Sequence, residues 1–440
     1  MGGGHALEIT DEFREALRLI EAGAPFLYLS GKAGTGKSTF IDYLRGETRK
    51  KLAVLAPTGL AALNVGGQTI HSFFRFPAVP PDASAVRRLR DRKVIEKLDL
   101  LVVDEVSMLR ADLLDAVDRS LRLNRGCGDR AFGGVQIAAI GDLFQLPPVV
   151  TREEEEFLLR RGYRTPYFFD AACLRDRLLH FVEFSEVFRQ ADRHFVQLLQ
   201  EIREAEDVED AVAEINERCV GRTLSEDAVV LTTTNAAADR MNKQRLAALP
   251  GSAKVLHGSM EGSFEAHKER LPAPLALELK PGSQVMFTKN DADRRWMNGS
   301  LGRVLCIDGA KLEVEVWDGR ERRRCSVEPV TWEAYSFEYD ERSDRIIPEV
   351  IGVYKQFPLR LAWAATIHKS QGLTLDEVLI DLGRAVFAAG QVYVALSRCR
   401  SLAGISLRRP LRSEEIYVDR AIKRFYRELR SELDRARRLE

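Results

Sequence analysis

Phe26-Leu27-Tyr28-Leu29-Ser30-Gly31-Lys32-Ala33-Gly34-Thr35-Gly36-Lys37-Ser38-Thr39 is an apolar run that breaks into a glycine-rich, cationic turn and continues as a helix-compatible stretch to Arg45. Strand, loop and helix in that order are the setting in which Gly-x-x-x-x-Gly-Lys-Ser binds phosphate. Glycines let the backbone close around phosphate oxygens, and the N–H groups of Gly34, Thr35, Gly36 and Thr39 with the helix N-terminus supply partial positive charge. Lys37 is placed to reach the β and γ phosphates and Ser38 to hold Mg²⁺. The motif predicts a parallel α/β sheet with a nucleotide at the carboxyl ends of its strands.

Working outward, residues 8–22 carry Ile9, Phe13, Ala16, Leu17, Leu19 and Ile20 at helical spacing, with Thr10 as N-cap and Gly23 as stop. A uniformly apolar run at Leu52–Ala56 is followed by mainly apolar runs at Leu98–Val103 and Val135–Ile140, each leading into a turn with polar residues, and Phe181–Phe184 closes the first lobe. A second α/β pattern begins at Ala228–Leu231, runs through Thr232-Thr233-Thr234-Asn235 into a helix to Leu249, and resumes at Leu361–His368, Val378–Leu382 and Gly404–Leu407. Between them, residues 258–358 alternate in short runs separated by Asn298-Gly299, Asp308-Gly309 and Asp318-Gly319, which predicts inserted antiparallel hairpins. Residues 412–437 read as an amphipathic helix packed on the second lobe, and Glu153–Glu156 as a solvated loop.

With 440 residues the chain exceeds one ordinary core. Its 66 basic and 66 acidic residues cancel, so any contact with nucleic acid has to come from a local groove. No apolar run approaches the ~20 residues that span a bilayer, which argues against a membrane role. The six cysteines are scattered without Cys-x-x-Cys spacing, the pattern of reduced thiols in a cytoplasmic protein. The start Met1-Gly2-Gly3-Gly4-His5 lacks a signal-peptide layout, and Ala6 stands where acylation would want Ser or Thr.

Asp104-Glu105 ends a buried-type strand, where nucleotide hydrolysis needs one carboxylate for the Mg²⁺ shell and one to activate water. Asp104 is assigned to the metal and Glu105 to the base. Gln145, after Gly141-Asp142, offers donor and acceptor together to a γ phosphate or water. Arg189 and Arg398 are the candidate cations for charge developing on the phosphates.

Ala56-Pro57-Thr58-Gly59, Gly66-Gly67-Gln68-Thr69-Ile70-His71-Ser72-Phe73-Phe74, Val103–Leu109, Gly141–Pro148, Phe188-Arg189-Gln190, Thr366-Ile367-His368-Lys369-Ser370-Gln371-Gly372 and Val394–Arg398 follow one another in the order of the motifs of superfamily 1B helicases. The pattern most resembles the petite-integration-frequency (PIF) family, whose signature segment matches Asp104–Asn124. The resemblance implies two RecA-like P-loop lobes, the first over 1–188 with a wedge near 64–80, the second over 189–257 and 359–411. It further implies an SH3-like β insertion over 258–358 and a C-terminal helix over 412–440. ATP would be served by Gly34, Thr35, Gly36, Lys37, Ser38, Thr39, Gln145, Arg189, Gly372 and Arg398, and Mg²⁺ by Ser38 and Asp104. Thr58, His71, Phe73, Thr233, Asn235, His368, Lys369 and Ser370 would lie along single-stranded DNA. The implied activity is 5′-to-3′ translocation with unwinding of tailed or forked duplexes or quadruplexes, by a monomer able to dimerise on DNA. Two other readings are a nucleotide-controlled remodeller that does not separate strands and a RecD-like exonuclease subunit.

One position departs from the family. Phe13 stands where many of these helicases carry the glutamine that reads adenine, so the resemblance does not extend to adenine selection. In the insertion, Lys289, Arg294, Arg295 and Trp296 form a basic and aromatic group expected to touch DNA near the duplex junction.

Overall fold

The computed structural model describes the chain apart from residues 1–8, 78–85, 176, 178, 191, 265–270, 309, 310, 319, 320, 385, 387 and 438–440. Residues 1–6, the end of the wedge segment and the glycines of two expected hairpin turns therefore lie outside the described residues. The chain divides into two compact units, Met1–Phe188 with Tyr335–Val350 and Asp419–Glu440, and Arg189–Ala334 with Ile351–Val418.

In the first unit, α1 (Asp11–Glu21) is capped by Thr10, whose hydroxyl accepts from the Phe13 amide at 3.2 Å. It leads to β1 (Phe26–Gly31), α2 (Lys37–Glu47), β2 (Leu52–Ala56), α3 (Gly59–Asn64), β3 (Gln68–Thr69), α4 (Ile70–Phe74), α5 (Lys93–Lys97) and β4 (Leu100–Val103). Then follow α6 (Ala111–Arg125), β5 (Gln136–Gly141), α7 (Arg152–Arg160) and β6 (His180–Phe184). The six strands form one parallel sheet in the order β3-β2-β4-β5-β1-β6. Its inner strands are mainly apolar because helices cover both faces, and β1, β4 and β5 are wholly buried. On one face Phe13 packs against Phe40 at 5.2 Å and Phe184 at 4.8 Å between ring centroids.

Buried acids organise α6. Asp115 accepts from the Tyr163 hydroxyl at 2.7 Å and from the amides of Ala172 and Cys173 at 2.9 and 2.8 Å, so one carboxylate ties down the irregular segment before β6. Asp118 pairs with Arg122 and accepts from the Phe132 amide. The glutamates expected in a loop are instead in α7, which opens with a capping box between Thr151 and Glu154. Glu154 also pairs with Arg110 at 2.6 Å, so acids at a helix N-terminus explain what a bare charge run suggested was solvated coil.

The second unit contains α8 (Arg193–Glu204), α9 (Glu209–Cys219), β7 (Val229–Thr232) and α10 (Asn235–Ala248), capped by Thr234. Beyond them run β8 (Lys254–His257), β9 (Ser259–Gly262), β10 (Ala276–Leu279), β11 (Gln284–Phe287), β12 (Leu301–Asp308), β13 (Lys311–Asp318), β14 (Glu321–Val327), β15 (Val330–Asp340) and β16 (Arg345–Gln356). β17 (Leu359–Leu361), β18 (Ala364–Thr366), β19 (Val378–Asp381), α11 (Gln391–Leu396), β20 (Ile405–Leu407) and α12 (Arg420–Arg437) complete the order. A parallel sheet runs β18-β7-β19-β20, and an antiparallel sheet runs β14-β13-β12-β11-β17 around a core of Val285, Phe287, Trp296, Val304, Leu312, Val314 and Leu359.

Three expectations are corrected here. The inserted β module is wider than 258–358: β8 precedes it, pairing with β10, and β17 follows it, pairing antiparallel with β11 through Val285 and Leu361. The end of the β15–β16 ribbon, Tyr335–Val350, groups with the first unit. There Lys93 binds Glu341, Lys51 binds Asp344 at 3.0 Å, and Lys93 and Lys97 sit over the Tyr339 ring. The terminal helix α12 also belongs to the first unit. Tyr426 shares hydrogen bonds of 2.7 Å with the Tyr28 and Ser30 hydroxyls, and its ring lies 4.8 Å from that of Phe144. Phe425 stacks on Phe169 at 4.3 Å. Amphipathic spacing shows that a helix has a face to bury but not which surface receives it.

Candidate nucleotide and DNA site

The parallel sheet sets β4, β5 and β1 side by side, so the turns after them share one edge. After β1, the phosphate loop is held by close contacts. A Cβ on Gly31 would sit 2.4 Å from Thr35 Oγ1 and 3.1 Å from Phe184 Cβ, which only glycine avoids. Gly34 and Gly36 have φ of 85° and 79°, the left-handed region open to glycine. Thr35 is buried and donates to the Lys32 carbonyl at 3.0 Å. Lys37 donates to the Gly31 and Lys32 carbonyls at 2.7 and 2.9 Å, which lays its ammonium over the loop. Ser38 is exposed and Thr39 half-buried in the first turn of α2.

After β4, the Asp104 carboxyl is buried and pushed up to about 7, first by loss of water and then by the charge of Glu105, with Lys37 pulling the other way. Glu105 adopts φ 50°, ψ 45°, a conformation that costs a non-glycine residue about 1–3 kcal/mol. After β5, a Cβ on Gly141 would lie 2.9 Å from the Val106 amide nitrogen, so the two turns are in backbone contact. Gln145 is buried, and its side-chain amide donates to Asp142 Oδ2 at 3.4 Å, while Asp142 Oδ1 accepts from the Phe144 amide. Lys37, Asp104, Glu105 and Gln145 thus stand on adjacent turns of one edge. Among the described residues no group of three or more His, Cys, Asp or Glu is placed to hold a metal alone. Ser38 and Asp104 provide two hard oxygen donors, the partial set that suits Mg²⁺ when phosphate and water fill the remainder.

Phe13 is 1% exposed, and its ring tip is where a Cβ on Gly36 would meet it at 3.3 Å. It underpins the loop instead of presenting a polar edge. Sequence reasoning missed Phe188, whose amide donates to the Gly34 carbonyl at 2.9 Å while its ring remains 46% exposed beside the loop. The aromatic directly before Arg189 was the available signal.

Of the expected DNA residues in this unit, Thr58 caps α3, its hydroxyl accepting from the Ala61 amide at 3.3 Å. His71 and Phe73 are half-buried on α4, with Phe73 edge-on to Phe74 and Phe337.

In the second unit the structure gathers Arg189, Gly372 and Arg398. Arg189 donates to the carbonyls of Ser397 at 3.3 Å and Gly372 at 3.4 Å, and burial draws its pKa below the usual arginine value. Arg398 is 1% exposed and donates to Val394 O, Ser370 O and Ser397 Oγ. Thr233 is half-buried, Asn235 is exposed at the start of α10 and Lys369 is exposed. His368 is half-buried, which lowers its pKa. Ser370 departs from expectation: it is fully buried, its hydroxyl donates to the Ile367 carbonyl at 2.8 Å, and its own carbonyl receives Arg398. Its side chain braces the turn and is not offered to a strand. The basic and aromatic group also resolves differently, because Trp296 is buried and stacked on Phe287 at 4.4 Å and Arg295 is paired with Asp291 at 2.7 Å.

Fold and site define a parallel α/β nucleotide-binding protein of the P-loop class. A family model described as PIF1-like helicase matches residues 8–213. The ATP-dependent DNA helicase Pif1 of Bdellovibrio bacteriovorus is 32% identical over 436 residues, covering 96% of this chain and 93% of that protein. The mouse (Mus musculus) ATP-dependent DNA helicase PIF1 is 34% identical, covering 90% of this chain, which spans 59% of that longer protein. Bacteroides sp Pif1 in complex with ADP-AlF4 superposes with a TM-score of 0.87 at 35% identity, covering 97% of this chain and 98% of that one. The same Bacteroides protein bound to ssDNA gives 0.68 at 34%, with the same coverage. The chain belongs to the PIF1-like helicase family.

Proposed function

We propose that this chain is an ATP-dependent DNA helicase that moves 5′ to 3′ on a single strand and separates tailed or forked duplexes. The observation that carries the reading is the shared edge: phosphate loop, acid pair and Gln145 on the neighbouring strands β1, β4 and β5. Lys37 lies over the loop carbonyls and moves to the phosphate oxygens when nucleotide enters. Glu105, half-buried beside the more deeply buried Asp104, takes the proton of the attacking water, and Gln145 orients that water by donating and accepting together. Ser38 and Asp104 would hold Mg²⁺, which when bound neutralises phosphate charge. Arg189 and Arg398 add positive charge where negative charge grows in the transition state. Thr58, His71, Phe73, Thr233, Asn235, His368 and Lys369 contact the strand. The relatives that share most of this chain's length are DNA helicases by name, and one has been solved with a nucleotide mimic and with ssDNA.

The test compares strand release from 5′-tailed, 3′-tailed and blunt duplexes with DNA-stimulated ATP turnover. Release from the 5′-tailed duplex alone is expected. Glu105→Gln should bind ATP like the parent and turn it over at least ~100-fold more slowly. Turnover without strand release would favour the remodeller, and parental turnover in Glu105→Gln would remove that residue from the base role.

A further inference from the structure

A cavity of about 270 Å³ opens within the second unit between α10, β10, β11 and the β17–β18 segment. Its charged lining is Arg360, Lys369 and Lys243 against Asp239 and Glu278. Arg360 is the unusual member. A guanidinium carries five N–H donors, and among the described residues this half-buried one donates to Met286 Sδ at 3.6 Å and the Lys369 carbonyl at 3.4 Å. Among the described residues no carboxylate pairs with it. Partial burial draws its pKa down to about 10, so it stays charged at neutral pH. A cation partly shielded from water and without an anion beside it is left short of partners, and an oxyanion entering the cavity would supply one.

One wall is fixed in place. Asn242 is committed to Ala364, donating to its carbonyl at 2.8 Å and accepting from its amide at 2.9 Å, which fixes α10 on β18. Lys369 and Asn235, both exposed, stand at the same cavity. Planar guanidinium, ammonium and amide together match the oxygens of a phosphate group better than a base edge or an apolar side chain.

We infer that Arg360, with Lys369 beside it, forms a pocket for one backbone phosphate of the single strand. This rests on the DNA reading above and adds a phosphate-binding residue that no sequence motif indicated. Arg360 follows Leu359 in a three-residue strand, and one arginine in an apolar stretch gives no sign that its side chain lines a cavity.

The experiment measures binding of a labelled oligodeoxythymidylate by fluorescence anisotropy across a salt series. Arg360→Gln should bind several-fold more weakly and lower the slope of log K against log salt by about 0.7, one phosphate on a single strand. Arg360→Lys should restore most of the slope. A walk of neutral methylphosphonate linkages should find one position that weakens the parent and leaves Arg360→Gln unaffected. Should the Gln variant fold poorly, Arg360→Met, apolar beside Met286, replaces it in the same walk. An unchanged slope and an unchanged walk in a variant that melts like the parent would return Arg360 to a structural role. Inorganic phosphate or ATP that occupies the pocket and abolishes the difference between parent and variant would overturn the strand assignment. Failure of the parent itself to bind the strand would sink the DNA reading, a result distinct from either.

Discussion

Phe13 shows how one side chain settles a question that a motif leaves open. Its ring is enclosed by Phe40, Tyr43 and Phe184 and supports Gly36 from below, so it has neither the exposure nor the atoms to read a base. Catalytic efficiency with GTP or CTP should therefore approach that with ATP, checked by steady-state kinetics on the four nucleotides; strict preference for ATP would place base reading elsewhere. Phe13→Gln should not create adenine selectivity. It should lower stability by about 3 kcal/mol in denaturant unfolding, since a buried amide replaces aromatic contacts. The positions of the phosphate loop after β1 and of Asp104 and Glu105 after β4 were legible from sequence, because an apolar run breaking into glycines or acids marks a strand end. The clamp by Phe188 and the burial of Ser370 were not, because both depend on backbone partners far along the chain.

At the level of elements, α6 is held by acids that a hydropathy reading would place in solvent. Asp115→Ala would strand the Ala172 and Cys173 amides and the Tyr163 hydroxyl, and we expect a loss of about 3 kcal/mol or more in urea unfolding. A loss under about 1 kcal/mol would mean that water replaces the carboxylate without difficulty. Glu415 is the counterpart in the second unit. Arg409 first, then Arg412 and its backbone amide, hold its pKa down to about 2, well below the ordinary 4.5. An acid whose folded pKa is depressed adds stability above its unfolded pKa and loses it as pH falls toward the folded value. Glu415→Gln should therefore be less stable than the parent at neutral pH, with the gap closing between about pH 4.5 and pH 2 in thermal melts. A pH-independent gap would assign the effect to packing. Period-two patterning identified the strands of the inserted module, but Trp296 and Arg295 read as a DNA-facing group until Phe287 and Asp291 claimed them.

Across the whole molecule, composition and motif order gave two α/β sheets and an antiparallel insertion, while the assignment of segments to units escaped the sequence. Both misplaced segments, Tyr335–Val350 and α12, are joined to the first unit by contacts hundreds of residues apart in the chain. No local spacing encodes such partners: Lys93 with Glu341, or Ser30 with Tyr426, can be found only in three dimensions.

The last of these pairings bears on how the protein is made. Tyr28 and Ser30 leave the ribosome before the second unit, and the side chain that completes their hydrogen bonding arrives only after that entire unit has been synthesised. Until then the surfaces of Phe144, Phe168 and Phe181 that receive α12 are open to water or to other nascent chains. The nucleotide-binding half thus starts to emerge before the second unit and is completed after it.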